Sequence, residues 1–334
     1  MDIKELLLQL MQTPGVAFKN DIFKVISNAV QDFAEVYVND NYLAADFGDK
    51  SKPAVLLEAH TDRICAVVTE VFNDGFLKVA PVGSVDGRFL PASSVTVYGH
   101  NGVKIFGVFT SVPPHIKKDN VTPSFDVCYV DTGVKNIENS VFVGDYVFFT
   151  PSATLVNNRV FGTALDNSAG VAAVISAGKA IYEAGSAEHI KMLFPLGEEL
   201  GLRGAVVGAF AATAEYALCV DVSFGSQPGV SPQESKKLNT GAMIGISPVL
   251  NKKIYSSLKD TAISENISHT FEIMSGKTGT DADAISISKS GIPTGLISIP
   301  IRNMHTPVEV ADIRDIEAVA KLIERYVLKG GFKC

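Results

Sequence analysis

The chain has 334 residues, more than one core usually organises, so two domains are expected. Hydrophobic residues make up 46% and charged residues 19%, a balance that supports a large core and excludes a disordered chain. The net charge of −7 and pI of about 5.4 argue against a nucleic-acid partner, and the basic pairs Lys117-Lys118 and Lys236-Lys237 read as solvated surface.

The opening stretch Met1–Gly15 lacks the basic start and long apolar run of a signal peptide. No segment approaches the ~20 apolar residues that cross a bilayer, so no membrane partner is expected. Cys65, Cys128, Cys219 and Cys334 are widely spaced with no CxxC, which fits the reduced thiols of a cytoplasmic protein.

Leu6, Leu7, Leu10 and Met11 share one helical face, and residues 22–33 read as a second amphipathic helix. Glu35 to Val38 and Tyr42 to Phe47 read as strands around Asn39-Asp40-Asn41. The apolar run before His60 predicts a strand buried on both faces. From about residue 66 the texture changes to short β-rich runs at 66–72, 76–79, 94–98, 103–109, 127–129 and 146–150. Gly, Pro, Asn and Asp punctuate them, as in a small β-barrel or sandwich.

From about residue 160 helices and strands alternate. The pattern predicts helices over 168–184, 202–212, 252–265, 281–290 and 312–328, with strands over 190–196, 216–220, 242–247, 269–274 and 294–300. A polar loop covers 224–241. This is an α/β fold with a mixed or largely parallel central sheet covered by helices on both faces. The domain expectation is residues 1–65 plus 160–334, interrupted by a β insert at 66–159.

Five places in the α/β part put His, Asp or Glu just beyond a buried run: His60, Asp166, Glu198-Glu199, Asp221 and His305. In open α/β sheets the ligand crevice lies beyond the carboxyl ends of the strands, so these residues would converge there. Two histidines with several carboxylates and no thiolate suit zinc, cobalt or manganese at a catalytic site. Taken singly, each has a plainer explanation. A histidine at a strand end is often a hydrogen-bonded structural residue. Glu198-Glu199 also reads as an acidic helix start, Asp166 as an N-cap and Asp221 as a loop cap.

The motifs Glu58-Ala59-His60-Thr61-Asp62, Gly162-Thr163-Ala164-Leu165-Asp166-Asn167, Gly197-Glu198-Glu199-Leu200-Gly201-Leu202-Arg203-Gly204, Val220-Asp221-Val222, Gly279-Thr280-Asp281-Ala282 and Asn303-Met304-His305-Thr306-Pro307 follow one another along the chain. Pro113-Pro114-His115 and Asp131-Thr132-Gly133 lie between them. In these motifs the sequence resembles the tetrahedral aminopeptidases, a metallopeptidase family that includes glutamyl aminopeptidases and proteins labelled cellulase M or endoglucanase. The resemblance implies a dinuclear zinc-peptidase-like fold with an inserted small β-barrel or PDZ-like domain. It implies two divalent metal ions per subunit, zinc or cobalt with manganese as a further option. Asp166 would bridge them, His60 and Asp221 would complete one site, and Glu199 and His305 the other. Asp62 would orient the His60 ring, and Glu198 would be the general base. Peptides would be the substrates, and the insert would build dimers that assemble into a dodecamer.

Two departures bear on the preferred side chain: Arg63 stands where the family usually has an acidic residue, and Leu238-Asn239-Thr240-Gly241 lacks the expected lysine. His115 reads as structural, and His100, His189 and His269 as surface or fold residues. Two other activities compete. A glycosidase would place its carboxylates about 5–9 Å apart around a sugar bond and commonly uses aromatic platforms, yet the chain has no tryptophan. A metal-dependent deacylase or carboxypeptidase could use the same core.

Overall fold

The computed structural model describes residues 2–15, 21–113, 115–116 and 122–332. Pro114, Lys117-Lys118 and Cys334, singled out above, lie outside the described residues. The chain begins with α1 (Ile3–Gln12), capped by Asp2, whose carboxylate accepts the Lys4 N–H, and α2 (Asp21–Val30). Both turn their apolar stripes inward, with Leu6, Leu7, Leu10 and Met11 buried as the pattern predicts. Strands β1 (Glu35–Val38) and β2 (Tyr42–Phe47) form a hairpin. The Asn39 side chain closes its turn by accepting the N–H groups of Asn41 and Tyr42. Strand β3 (Ala54–Glu58) is buried throughout.

The chain then leaves for a closed barrel of β4 (Cys65–Val71), β5 (Phe76–Val82), β6 (Ser94–Tyr98), β7 (Lys104–Phe109), β8 (Val130–Asp131) and β9 (Tyr146–Phe149). Alternate residues such as Leu77, Val79, Val95 and Val97 fill its interior. The strand expected at 127–129 starts later, at Val130, because the N–H groups of Val127 and Cys128 turn back to the Ser124 carbonyl.

Next come β10 (Ala153–Val156), β11 (Arg159–Gly162), α3 (Leu165–Glu183), β12 (Ile190–Pro195), α4 (Arg203–Ala211) and β13 (Ala214–Phe224). The last run is β14 (Ala242–Ile246), α5 (Lys252–Ser264), β15 (His269–Ile273), α6 (Ala282–Ser286), β16 (Thr294–Ile301), β17 (Glu309–Asp312) and α7 (Ile313–Leu328). The helix expected over 281–290 is confined to α6, since Lys289 and Gly291 take left-handed conformations.

The main sheet has the order β1-β2-β12-β3-β13-β16-β14-β15. Strands β12, β3, β13 and β16 run parallel, β2 is antiparallel to β1 and β12, and β14 is antiparallel to β16 but parallel to β15. One face buries α1, α2, α3, α5 and α7; the other takes α4 and α6. A small sheet, absent from the sequence expectation, joins β10 and β11, which follow the barrel, to β17 near the end of the chain. Its strands are four residues long, too short to carry a periodic signal.

Helix α3 sits close to the sheet. A Cβ on Gly170 would meet the Asn167 Oδ1 at 2.2 Å and the Val220 carbonyl at 2.9 Å, so glycine is required at this crossing. Among the described residues no helix is long and apolar enough to cross a membrane.

Candidate active site

His60 and Asp62 follow β3, Asp166 opens α3, Glu198 and Glu199 follow β12, Asp221 lies in β13, and His305 lies between β16 and β17. The parallel strands bring their carboxyl ends to one edge, and these residues meet there. The His60 Nε2 is 3.1 Å from Asp166 Oδ1 and 3.6 Å from Asp221 Oδ1. The His305 Nε2 is 3.1 Å from Asp166 Oδ2 and 3.2 Å from Glu199 Oε1. Asp166 thus turns one oxygen to each histidine. His60, Asp166 and Asp221 present ligand atoms within 4.8 Å of one another, and so do Asp166, Glu199 and His305.

The supporting bonds are specific. The Asp62 carboxylate lies 3.5 Å from His60 Nδ1 and accepts the backbone N–H groups of Glu198 and Glu199 at 3.0 and 3.2 Å. One residue therefore faces the ring and holds the turn carrying the two glutamates. Asn167 donates from its side chain to the Val220 carbonyl and accepts the Gly170 N–H, tying the start of α3 to β13. Ala164, Leu202 and His305 have φ of 58°, 62° and 60°, a left-handed region costly for side-chain-bearing residues and found at sites the surrounding structure over-determines.

Glu309 escaped the sequence reading. Its carboxylate accepts the N–H of Asp166 at 3.1 Å and that of His305 at 2.8 Å, fixing the backbone of both from β17. Glu58 and Asp281, present in the quoted motifs without a role, lie buried behind the site. The departures from the family pattern hold structural contacts. The Arg63 guanidinium donates to the carbonyls of Leu10, Met11 and Thr13 at the end of α1. Asn239 and Gly241 donate their N–H groups to Asp315 of α7. His189 and His269 bond backbone carbonyls near themselves, outside the cluster.

Carboxylates outnumber imidazoles here, and most of them are buried. Burial pushes Glu198 up to about 9, with the charges of Asp221, Asp281 and Glu199 adding to the effect. Burial likewise raises Glu58 and Glu309 to about 8. For His305, burial opposes the charge, but bonds to Asp166 and Glu199 outweigh it and lift the ring to about 11. Asp166 is buried too, yet its bonds to His305 and His60 hold it below the ordinary carboxylate range. Such a cluster is expensive without compensating positive charge.

Glu198 points into a cavity of about 280 Å³ that also reaches His60, Asp166, Asp221 and His305. Adjacent Glu199 turns instead to His305. The two neighbours thus address different partners.

Comparison with known proteins agrees with this constellation. The sequence model of a family described as M42 glutamyl aminopeptidase matches residues 40–322. The lysyl aminopeptidase of Pyrococcus furiosus is 30% identical over 332 residues, covering 95% of this chain and 94% of that protein. An aminopeptidase structure from the archaeon Desulfurococcus kamchatkensis superposes with a TM-score of 0.88 at 26% identity, covering 98% of this chain and 94% of the other. The TET1 peptidase of Pyrococcus horikoshii, described as able to assemble into a tetrahedron or a large octahedral shell, gives a TM-score of 0.85 at 27% identity, with 97% and 98% of the two chains covered.

Proposed function

The chain belongs to the M42 glutamyl aminopeptidase family and is a peptidase, and from that premise we propose that it removes N-terminal residues from peptides with the help of two divalent metal ions. The observation that carries the proposal is Asp166, whose two oxygens each lie 3.1 Å from a different histidine. His60 and Asp221 would complete one cation site with it, Glu199 and His305 the other. The donors fit such ions: nitrogen and carboxylate oxygen without thiolate, in a buried cluster short of positive charge. Zinc or cobalt suits this set, as does manganese.

When bound, the cations acidify water and polarise a carbonyl. The chain's own residues do the rest. Glu198, buried and not engaged by a histidine, takes the proton of the attacking water and returns it to the departing amine. Asp62 positions the His60 ring and, through the Glu198 N–H, the base itself. A free α-amine would bind beside the metals near the Asp221 carboxylate, which selects chain ends. A homo-oligomer is part of the same proposal, supported by the assembly described for the TET1 relative and by exposed apolar side chains such as Phe210 and Ile287.

The test compares free-amine peptides with their N-acetylated forms, with and without chelator. Free-amine peptides are expected to lose residues from the N-terminus, and chelator to abolish this. Efficient cleavage of acetylated peptides, release of C-terminal residues, or chelator-resistant turnover would each overturn the reading.

A further inference from the structure

The 280 Å³ cavity is lined by more than the proposed ligands and base. Phe224, Leu296, Met304 and Glu272 of β15 line it together with His60, Asp166, Glu198 and Asp221. Glu272 lies three strands from β13, yet its carboxylate accepts hydrogen bonds from both Ser223 of β13 and Ser298 of β16. The intervening strand β14 makes that reach possible, because the residue paired with Glu272 is Gly245, which has no side chain to stand in the way. Both serines are buried. One hydroxyl holds each carboxylate oxygen, so the acid is fixed in place and keeps acceptor capacity for a third partner.

Nothing in the reaction uses Glu272. Among the described residues it forms no ion pair; Lys236 is near enough to favour its charge but does not reach ion-pair distance. A half-buried carboxylate without a cation carries a desolvation cost that an entering cation would recover. The cavity lining suits one kind of visitor: apolar side chains for a methylene stem and an acid for its charged tip.

We propose that Glu272 sets substrate choice by selecting peptides whose N-terminal side chain is a long cation, lysine or arginine. The inference rests on the aminopeptidase reading, under which the residue whose carbonyl lies at Glu198 sends its side chain into this cavity. Family membership does not decide the matter, since the family description says glutamyl and the Pyrococcus furiosus relative is named lysyl. An acidic side chain would meet a like charge, and leucine would leave Glu272 desolvated and unpaired.

The experiment uses metal-loaded enzyme and the anilides of lysine, arginine, leucine and glutamate. Lysine and arginine are expected to exceed leucine in kcat/KM, with glutamate last. Glu272→Gln should lower the lysine-to-leucine ratio by roughly 10- to 100-fold, the span of one charge-assisted hydrogen bond. Glu272→Lys should move glutamate ahead of lysine. Binding gives an independent readout: L-lysine should raise the wild-type Tm more than L-norleucine, and Glu272→Gln should erase the difference. A wild-type preference for leucine or glutamate, or an unchanged ratio in Glu272→Gln, overturns the proposal while leaving the aminopeptidase reading standing. If no free-amine anilide is cleaved, that reading falls and this proposal falls with it.

Discussion

Adjacent Glu198 and Glu199 carry the same functional group, and their surroundings separate them. Glu199 meets His305 at 3.2 Å, whereas Glu198 lines the open cavity. Glu198→Gln keeps size and most hydrogen bonding but cannot accept a proton. It is expected to retain both metals, to change KM little and to lose roughly 10²–10⁴ in kcat, the usual share of acid–base catalysis. Glu199→Gln is expected to lose metal as well as rate. Metal content and turnover of both variants decide this: metal loss from Glu198→Gln alone would exchange the roles, and near-normal turnover would remove Glu198 from the mechanism. The pair was legible in sequence because it follows a buried run. Glu309 was not, because it acts through two backbone N–H groups distant in sequence. Glu272 was hidden too, since its partners sit on β13 and β16, beyond the strand it pairs with.

At the scale of elements, the helix carrying Asp166 is seated by the contact of Gly170 with Asn167 and Val220. Gly170→Ala sets two effects against each other. Helix propensity favours alanine by about 1 kcal/mol. Against that, a Cβ 2.9 Å from a backbone carbonyl must displace the Asn167 side chain or push α3 off β13, an overpacking cost of about 1–3 kcal/mol plus the lost Asn167 bonds. The net expectation is lower stability in urea and lower metal occupancy, because Asn167 adjoins Asp166. Unchanged stability and occupancy would show that the crossing relaxes freely. The long elements were readable for a plain reason: β3, β13 and β16 contain long apolar stretches, and α1 and α7 show helical spacing. The four-residue strands β10, β11 and β17 were not, because so short a run is defined by its pairing partners.

For the whole molecule, the barrel is both an inserted unit and a wall of the site. A Cβ on Gly83, just after β5, would lie 3.1 Å from Glu199 Oε2, so barrel and catalytic turn are in close contact. We propose that the barrel holds subunits together. Replacing residues 66–149 with a short linker, which spares β10 and β11, is expected to leave smaller particles of low activity. Light scattering checks the size; a particle of unchanged subunit number would remove the barrel from the assembly role.

The order in which the proposed ligands occur along the chain bears on its synthesis. His60 comes first, Asp166 only after the whole barrel, and His305 after every other strand of the main sheet. The backbone of His305 is held by Glu309 of β17, which follows it. Domains fold from the N-terminus as the ribosome delivers them, but no early fragment of this chain contains both halves of the site. On the proposed ligand assignment, a nascent chain is expected to be inert toward the peptides around it, with hydrolytic competence arriving only with β17.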